Sequence, residues 1–191
     1  MNRKHVFAAL LAAAAVPAFA QTGIVQRDVN QQQRIEQGLE SGALNTREAG
    51  RLEREQARVE GAQSHALRDD NLSPQEKARI TRMQNEASRD VYRQKHDAQT
   101  GNPDSASSQR MQAAVQRDVN QQKRIQQGVQ SGELTQREAA RLEHGQAHDA
   151  RTQARAAADG RAGPRESHRM QRAENTQSRR ILRQKHDAQT K

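Results

Sequence analysis

His144 and His148 stand four residues apart in a stretch that reads as helix. At that spacing both imidazoles lie on one helix face, and Asp149 follows, so the pair could share a divalent metal ion. Two ligands make a weak site. His96 and His186 each sit inside Arg-Gln-Lys-His-Asp near the end of a basic helical stretch, where a histidine suits the negative end of the helix dipole better than it suits catalysis. No Ser, His and acid cluster, no paired carboxylates in an apolar setting and no Gly-rich phosphate loop can be read from the chain. With no Cys, thiolate chemistry and Cys-based metal sites are excluded. The chain therefore reads as a protein without catalytic residues or cofactors.

Four glutamates at turns raise a second metal question. Gly42-Ala43-Leu44-Asn45-Thr46-Arg47-Glu48 and Gly132-Glu133-Leu134-Thr135-Gln136-Arg137-Glu138 resemble the back half of an EF-hand calcium loop. The stretches ending in Glu76 and Glu166 do so too. The front half is missing, because the first ligand position would hold Gln37, His65, Gln127 or Arg155. Calcium takes six to eight oxygens, several of them carboxylate, and these loops offer one or two. The same residues fit helix starts: Asn45 with Glu48, Thr135 with Glu138, and Ser73 with Glu76 are a capping residue and its reciprocal acid three positions on. Glu166 occupies the matching place after Gly163-Pro164.

The elements that would position these groups come in duplicate. Residues 26–100 align without a gap on 116–190, at a constant offset of 90, with just over half the positions identical. Arg54 and Arg58 match His144 and His148, so the histidine pair is not a property of the unit. A clean duplication makes the unit of about 75 residues the object of fold reasoning. Each copy reads as three helices. Val25, Val29, Ile35 and Leu39 form the stripe of the first, and Met111, Val115, Val119, Ile125 and Val129 repeat it. Gly42 and Gly132 end these helices. The second helix carries Ala49, Leu52, Gln56, Val59, Gln63 and Ala66, a coiled-coil-like seam diluted with glutamine. In the other copy its later positions become Asp149, Gln153 and Ala156. Ile80, Met83, Ala87 and Val91 mark the third helix, matched by Met170, Ala173, Gln177 and Ile181.

The chain thus predicts an all-α protein: two tandem three-helix repeats over 21–100 and 111–191, a linker over 101–110, thin seams and no sheet. Residues 1–20 read as a secretory signal, with Arg3 and Lys4 before an apolar run and Ala18-Phe19-Ala20 before the cut. The expected location is the periplasm, with release to the medium as the alternative, and no membrane-spanning segment is expected after cleavage.

The formal charge is +9, with Lys and Arg spread among Glu and Asp along every helix. Such mixing reads as solvated faces with ion pairs one turn apart. Export and the scarcity of aromatic side chains argue against nucleic acid. An anionic envelope component, an envelope protein or a second copy of the chain are the expected partners.

The pattern Arg34-Ile35-x-x-Gly38-x-x-Ser41-Gly42-x-Leu44, closing with Glu48, then Ser88-Arg89-x-x-x-Arg93-x-Lys95-His96, resembles small exported proteins of proteobacteria that are mostly uncharacterised. The resemblance covers nearly the whole chain after residue 20. It implies a periplasmic helical repeat and carries over no functional residue. The function expected is a non-catalytic interaction or scaffold protein; the alternative is a metal-responsive module, for calcium or a transition metal, derived from the EF-hand-like turns.

Overall fold

The computed structural model describes residues 16–187, with side chains from 23 onward. Most of the signal read over 1–20 lies outside those residues. Six helices follow in order: α1 (Val16–Ser41), α2 (Thr46–Ala66), α3 (Pro74–Lys95), α4 (Ala106–Ser131), α5 (Gln136–Ala156) and α6 (Pro164–His186). Among the described residues there is no strand, and no helix is long and apolar enough to cross a membrane.

The turn chemistry explains where the helices stop and start. Gly42 and Gly132 take the left-handed conformation at φ +75° and +68°. Beyond each, the chain folds back: the Leu44 amide donates to the Gly38 carbonyl (2.8 Å) and Leu134 to Gly128 (2.9 Å). The leucine side chain then lies on the bare Cα of that glycine, where a Cβ would come within 2.5 Å of Leu44 Cδ1 and 2.6 Å of Leu134 Cδ1. Thus Gly-x-x-Ser-Gly-x-Leu is a hairpin closure in which each residue type has a steric or conformational reason.

The copies do not form separate bundles. α1 packs most extensively on α4 and α2 on α5, so the largest contacts run between repeats. Both pairs are antiparallel: Gly50 meets Ala157 while Gly61 meets Arg151, and Gln112 donates to the Leu39 carbonyl while Gln126 donates to Gln26. α3 lies across α1 and α2, and α6 across α4 and α5. The result is a four-helix centre with a pseudo-twofold relation and one brace per copy. Matched hydrogen bonds repeat it: Arg34 to Ser88 (2.6 Å) and Arg124 to Ser178 (2.8 Å), Gln63 to Asp28 (2.8 Å) and Gln153 to Asp118 (2.6 Å).

Three sequence expectations change. The linker lies earlier, because α3 ends at Lys95 and Ser105 caps α4 by accepting from the Ser108 amide (3.1 Å), so 96–105 connect the helices of the two repeats. That connector is docked, with the Gly101 amide on the Gly42 carbonyl (2.8 Å). The apolar seams fall where expected, but the central helices that carry them are not solvated on their other faces. The expected positions of α1, α2, α4 and α5 are buried, and one apolar cluster takes Ile35, Leu39 and Leu52 from one copy and Met111, Val115 and Met170 from the other. Packing between copies buries a second face of each central helix, and that face is polar. Asp28, Gln32, Glu53, Gln56, Glu60, Gln63, Asp118, Gln122, Glu143, Gln146, Asp149 and Gln153 are all within 2% of complete burial. These acids are not solvated partners of nearby arginines, and carboxylates do meet in a dry setting.

Candidate basic grooves and a buried polar core

The capping residues lie where helices begin. The Asn45 side chain accepts from the Glu48 amide (3.0 Å), and the Glu48 carboxylate accepts from the Asn45 amide (2.9 Å). Ser73 with Glu76 and Thr135 with Glu138 make the same reciprocal pair. Gly163 has no side chain to offer and α6 starts without a side-chain cap, although Glu166 stands in the reciprocal place. The carboxylates of Glu48, Glu76 and Glu138 are thus committed to the backbone amide of their own capping residue.

His144 and His148 occupy neighbouring grooves along the α5–α6 seam. His148 has Asp149 at 3.4 Å. Burial, then Arg155, Arg180, Arg151 and His144, lowers its pKa. A field that repels a proton also repels a cation. Among the described residues no group of three or more His, Asp or Glu converges as a metal site. His96 and His186 have Nδ1 against the carbonyl of the residue four earlier, Tyr92 (2.7 Å) and Leu182 (2.8 Å). Both are therefore engaged at their helix ends.

The buried polar layer is rich in acceptors. Gln122 donates to Glu60 (3.2 Å), Gln32 to Glu53 (3.1 Å), and Gln63 and Gln84 to Asp28 (2.8 Å each). Apart from that of Gln56, the buried glutamine amide nitrogens are used while carbonyl and carboxyl oxygens remain, among them Oε1 of Gln32, Gln63 and Gln122, and both oxygens of Glu143. An anionic oxygen without a donor is expensive to bury, and a proton on the carboxyl converts it into a donor. The electrostatics agree. Burial raises Asp28 to about 7 against the lowering effect of Gln84 and Gln63, and raises Glu53 to about 7. Burial, then Glu143, Asp28 and Glu53, lifts Glu60 well above the ordinary carboxyl range. Burial lifts Glu143 and Asp118 in the same way, with Asp28 adding to the first and Glu53 to the second.

The surface is basic where α5 meets α6. One groove of about 650 Å³ is lined by Ser64 and Arg68 at the end of α2, Arg137, Ala140, Arg141, Leu142 and His144 of α5, and Arg180, Arg183 and Gln184 of α6. Positions 137, 141 and 144 fall on one face of α5 by helical spacing, as 180, 183 and 184 do on α6. Arg137 pairs with Asp70 (2.6 Å). Arg68, Arg141, Arg180 and Arg183 make no ion pair among the described residues. A smaller groove beside it holds His148, Arg155, Arg169 and Arg172. Sequence reading sees these arginines as spread along helices, because residues from α2, α5 and α6 become neighbours only on folding.

Compared with known protein families, with curated proteins and with solved structures, the chain matches none of them.

Proposed function

We propose that this chain is a non-catalytic interaction protein of the bacterial envelope that engages anionic material through the basic seam of its second repeat. The observation that carries the reading is the group of arginines along α5 and α6, of which Arg137 is paired with Asp70 while Arg141, Arg180 and Arg183 make no ion pair among the described residues. Like charges held in one cleft repel one another, and an anionic partner relieves that repulsion. Chemistry has little support, since the perturbed carboxyls are enclosed between central helices and none of Asp28, Glu53, Glu60, Asp118 and Glu143 lines the basic grooves. A general acid or base must reach its substrate. Location in the envelope rests on the signal-like residues 1–20 alone.

Sedimentation with vesicles tests the proposal. Binding to anionic vesicles at low salt, falling steeply as salt is raised and absent with neutral vesicles, is the expected result. Indifference to vesicle charge removes the reading. Gel filtration in the same buffers measures whether the protein also associates with itself.

A further inference from the structure

We propose that the groove between the end of α2, α5 and the last turns of α6 is a site for a phosphate monoester group. This rests on the anion-binding reading above and adds its place and ligand class. Arg68, Arg141, Arg180 and Arg183, none of which makes an ion pair among the described residues, line the groove with Ala140 and Leu142, and Arg180 also lies in the field of the buried Asp149. The duplication provides an internal control. On the first repeat the places of Arg141, Arg180 and Arg183 are held by Arg51, Asp90 and Arg93. Asp90 pairs with Arg93, and Glu55 stands where the second repeat has Gly145. Burial and then Asp90 raise Glu55, so the two carboxyls crowd one another on that face.

The same scaffold therefore folds with acids at this seam. In the second repeat both are gone. Arg180 replaces one, and the bare Cα of Gly145 faces the Gln177 amide, which bonds the Leu142 carbonyl (2.8 Å). Arg68 reaches the groove from the opposite repeat, and its counterpart is Ala158. The two faces thus differ by a charge reversal at 180, an exposed position that packing does not dictate, and by a loss of charge at 145, where Gln177 takes the space of a side chain. Guanidinium groups on several sides match a compact dianion with several oxygens better than a single carboxylate, because each fork can take two of them.

The test compares free and lipid-borne phosphate on the purified protein. Calorimetry with inorganic phosphate and sedimentation with phosphatidic acid vesicles supply the two sources. Phosphatidylglycerol, a phosphodiester, is the charge control. Binding of inorganic phosphate or of phosphatidic acid, a monoester, in preference to the diester is expected, and the source that binds identifies whether the group is soluble or carried on lipid. Arg180→Asp restores the first repeat's acid and should weaken binding about tenfold, as expected for loss of a charge-assisted contact. Arg183→Gln and Arg141→Gln should weaken it with less risk to the fold, which a circular dichroism melt checks. Arg89→Asp on α3 makes the same charge change on an exposed site and should leave affinity within about twofold, since exposed charges are screened. Equal losses in Arg180→Asp and Arg89→Asp, or no preference for the monoester, would overturn this site while leaving general anion binding intact. No binding to any anionic probe would remove both.

Discussion

Glycine 38 shows how one missing side chain sets a connection. In mid-helix, replacing Gly by Ala is favourable by about 1 kcal/mol. Here the new methyl group would meet Leu44 Cδ1 at 2.5 Å and Cγ at 2.7 Å, and Leu44 is fully buried, so it would have to shift within the core. Overpacking of that kind costs about 1–3 kcal/mol, so the clash wins. We predict that Gly38→Ala lowers the melting temperature, and that Gly128→Ala does likewise through Leu134. A stabilised variant would show that the α1–α2 turn relaxes without cost. Histidines 144 and 148 teach the complementary point. Their spacing was legible and suggested metal, but arginines on α5 and α6 surround them, and no third ligand of the His, Asp or Glu type joins them among the described residues.

At the scale of elements, each central helix has two buried faces of different character. α2 turns Ala49, Leu52 and Val59 inward with Glu53, Gln56 and Glu60. Gln56 shows what this costs: it is 1% accessible, and neither its Nε2 nor its Oε1 has a hydrogen-bond partner among the described residues. Each buried unpaired polar group costs about 1–3 kcal/mol. We predict that Gln56→Leu, similar in bulk, stabilises the fold by at least about 1 kcal/mol, measured by denaturant unfolding. A destabilised variant would mean that Gln56 is satisfied by bound water. The apolar stripe was legible because its period of three and four is a property of the helix. So were Gln56 and Gln63 as polar members of that stripe, whereas Glu53 and Glu60 were not, since they read equally well as solvent-facing until a partner helix covers them.

At the scale of the molecule, the acceptor-rich core predicts a pH dependence. Asp28, Glu53 and Asp149 have folded pKa values raised to about 7, and burial leads in all three. The folded state therefore holds more protons than the unfolded chain, and stability falls as pH rises from the ordinary carboxyl range through 7. Glu60, Asp118 and Glu143 extend the fall above that range. The groups that face one another are Glu53 and Glu60 of α2, Glu143 and Asp149 of α5, Asp28 of α1 and Asp118 of α4, with Glu174 of α6 paired to Arg117 (2.6 Å). A higher melting temperature at pH 5 than at pH 8 is expected, and Glu60→Gln with Glu143→Gln should flatten the difference. A melting temperature that rises across this interval would contradict the neutral-carboxyl account.

The shared core makes a further prediction. One apolar cluster draws from both copies, so residues 21–100 alone would expose the faces of α1 and α2 that α4 and α5 cover. That segment should dimerise, a second copy standing in for the missing repeat, because the two are related by a pseudo-twofold axis. Sedimentation equilibrium decides, and a stable folded monomer would show that the repeats are independent.

The residues alone determined the helical class, the six elements, the duplication, the glycine turns and the capping pairs, because each depends on neighbours within a few positions. The acids of the core and the arginines of the groove belong to different helices and, at Arg68, to a different repeat. Only the antiparallel docking of α1 on α4 and α2 on α5 decided which charges lose their water and which gather at the surface. Local sequence fixes a side chain's direction on its helix, whereas its dielectric surroundings are made by whatever packs against that direction.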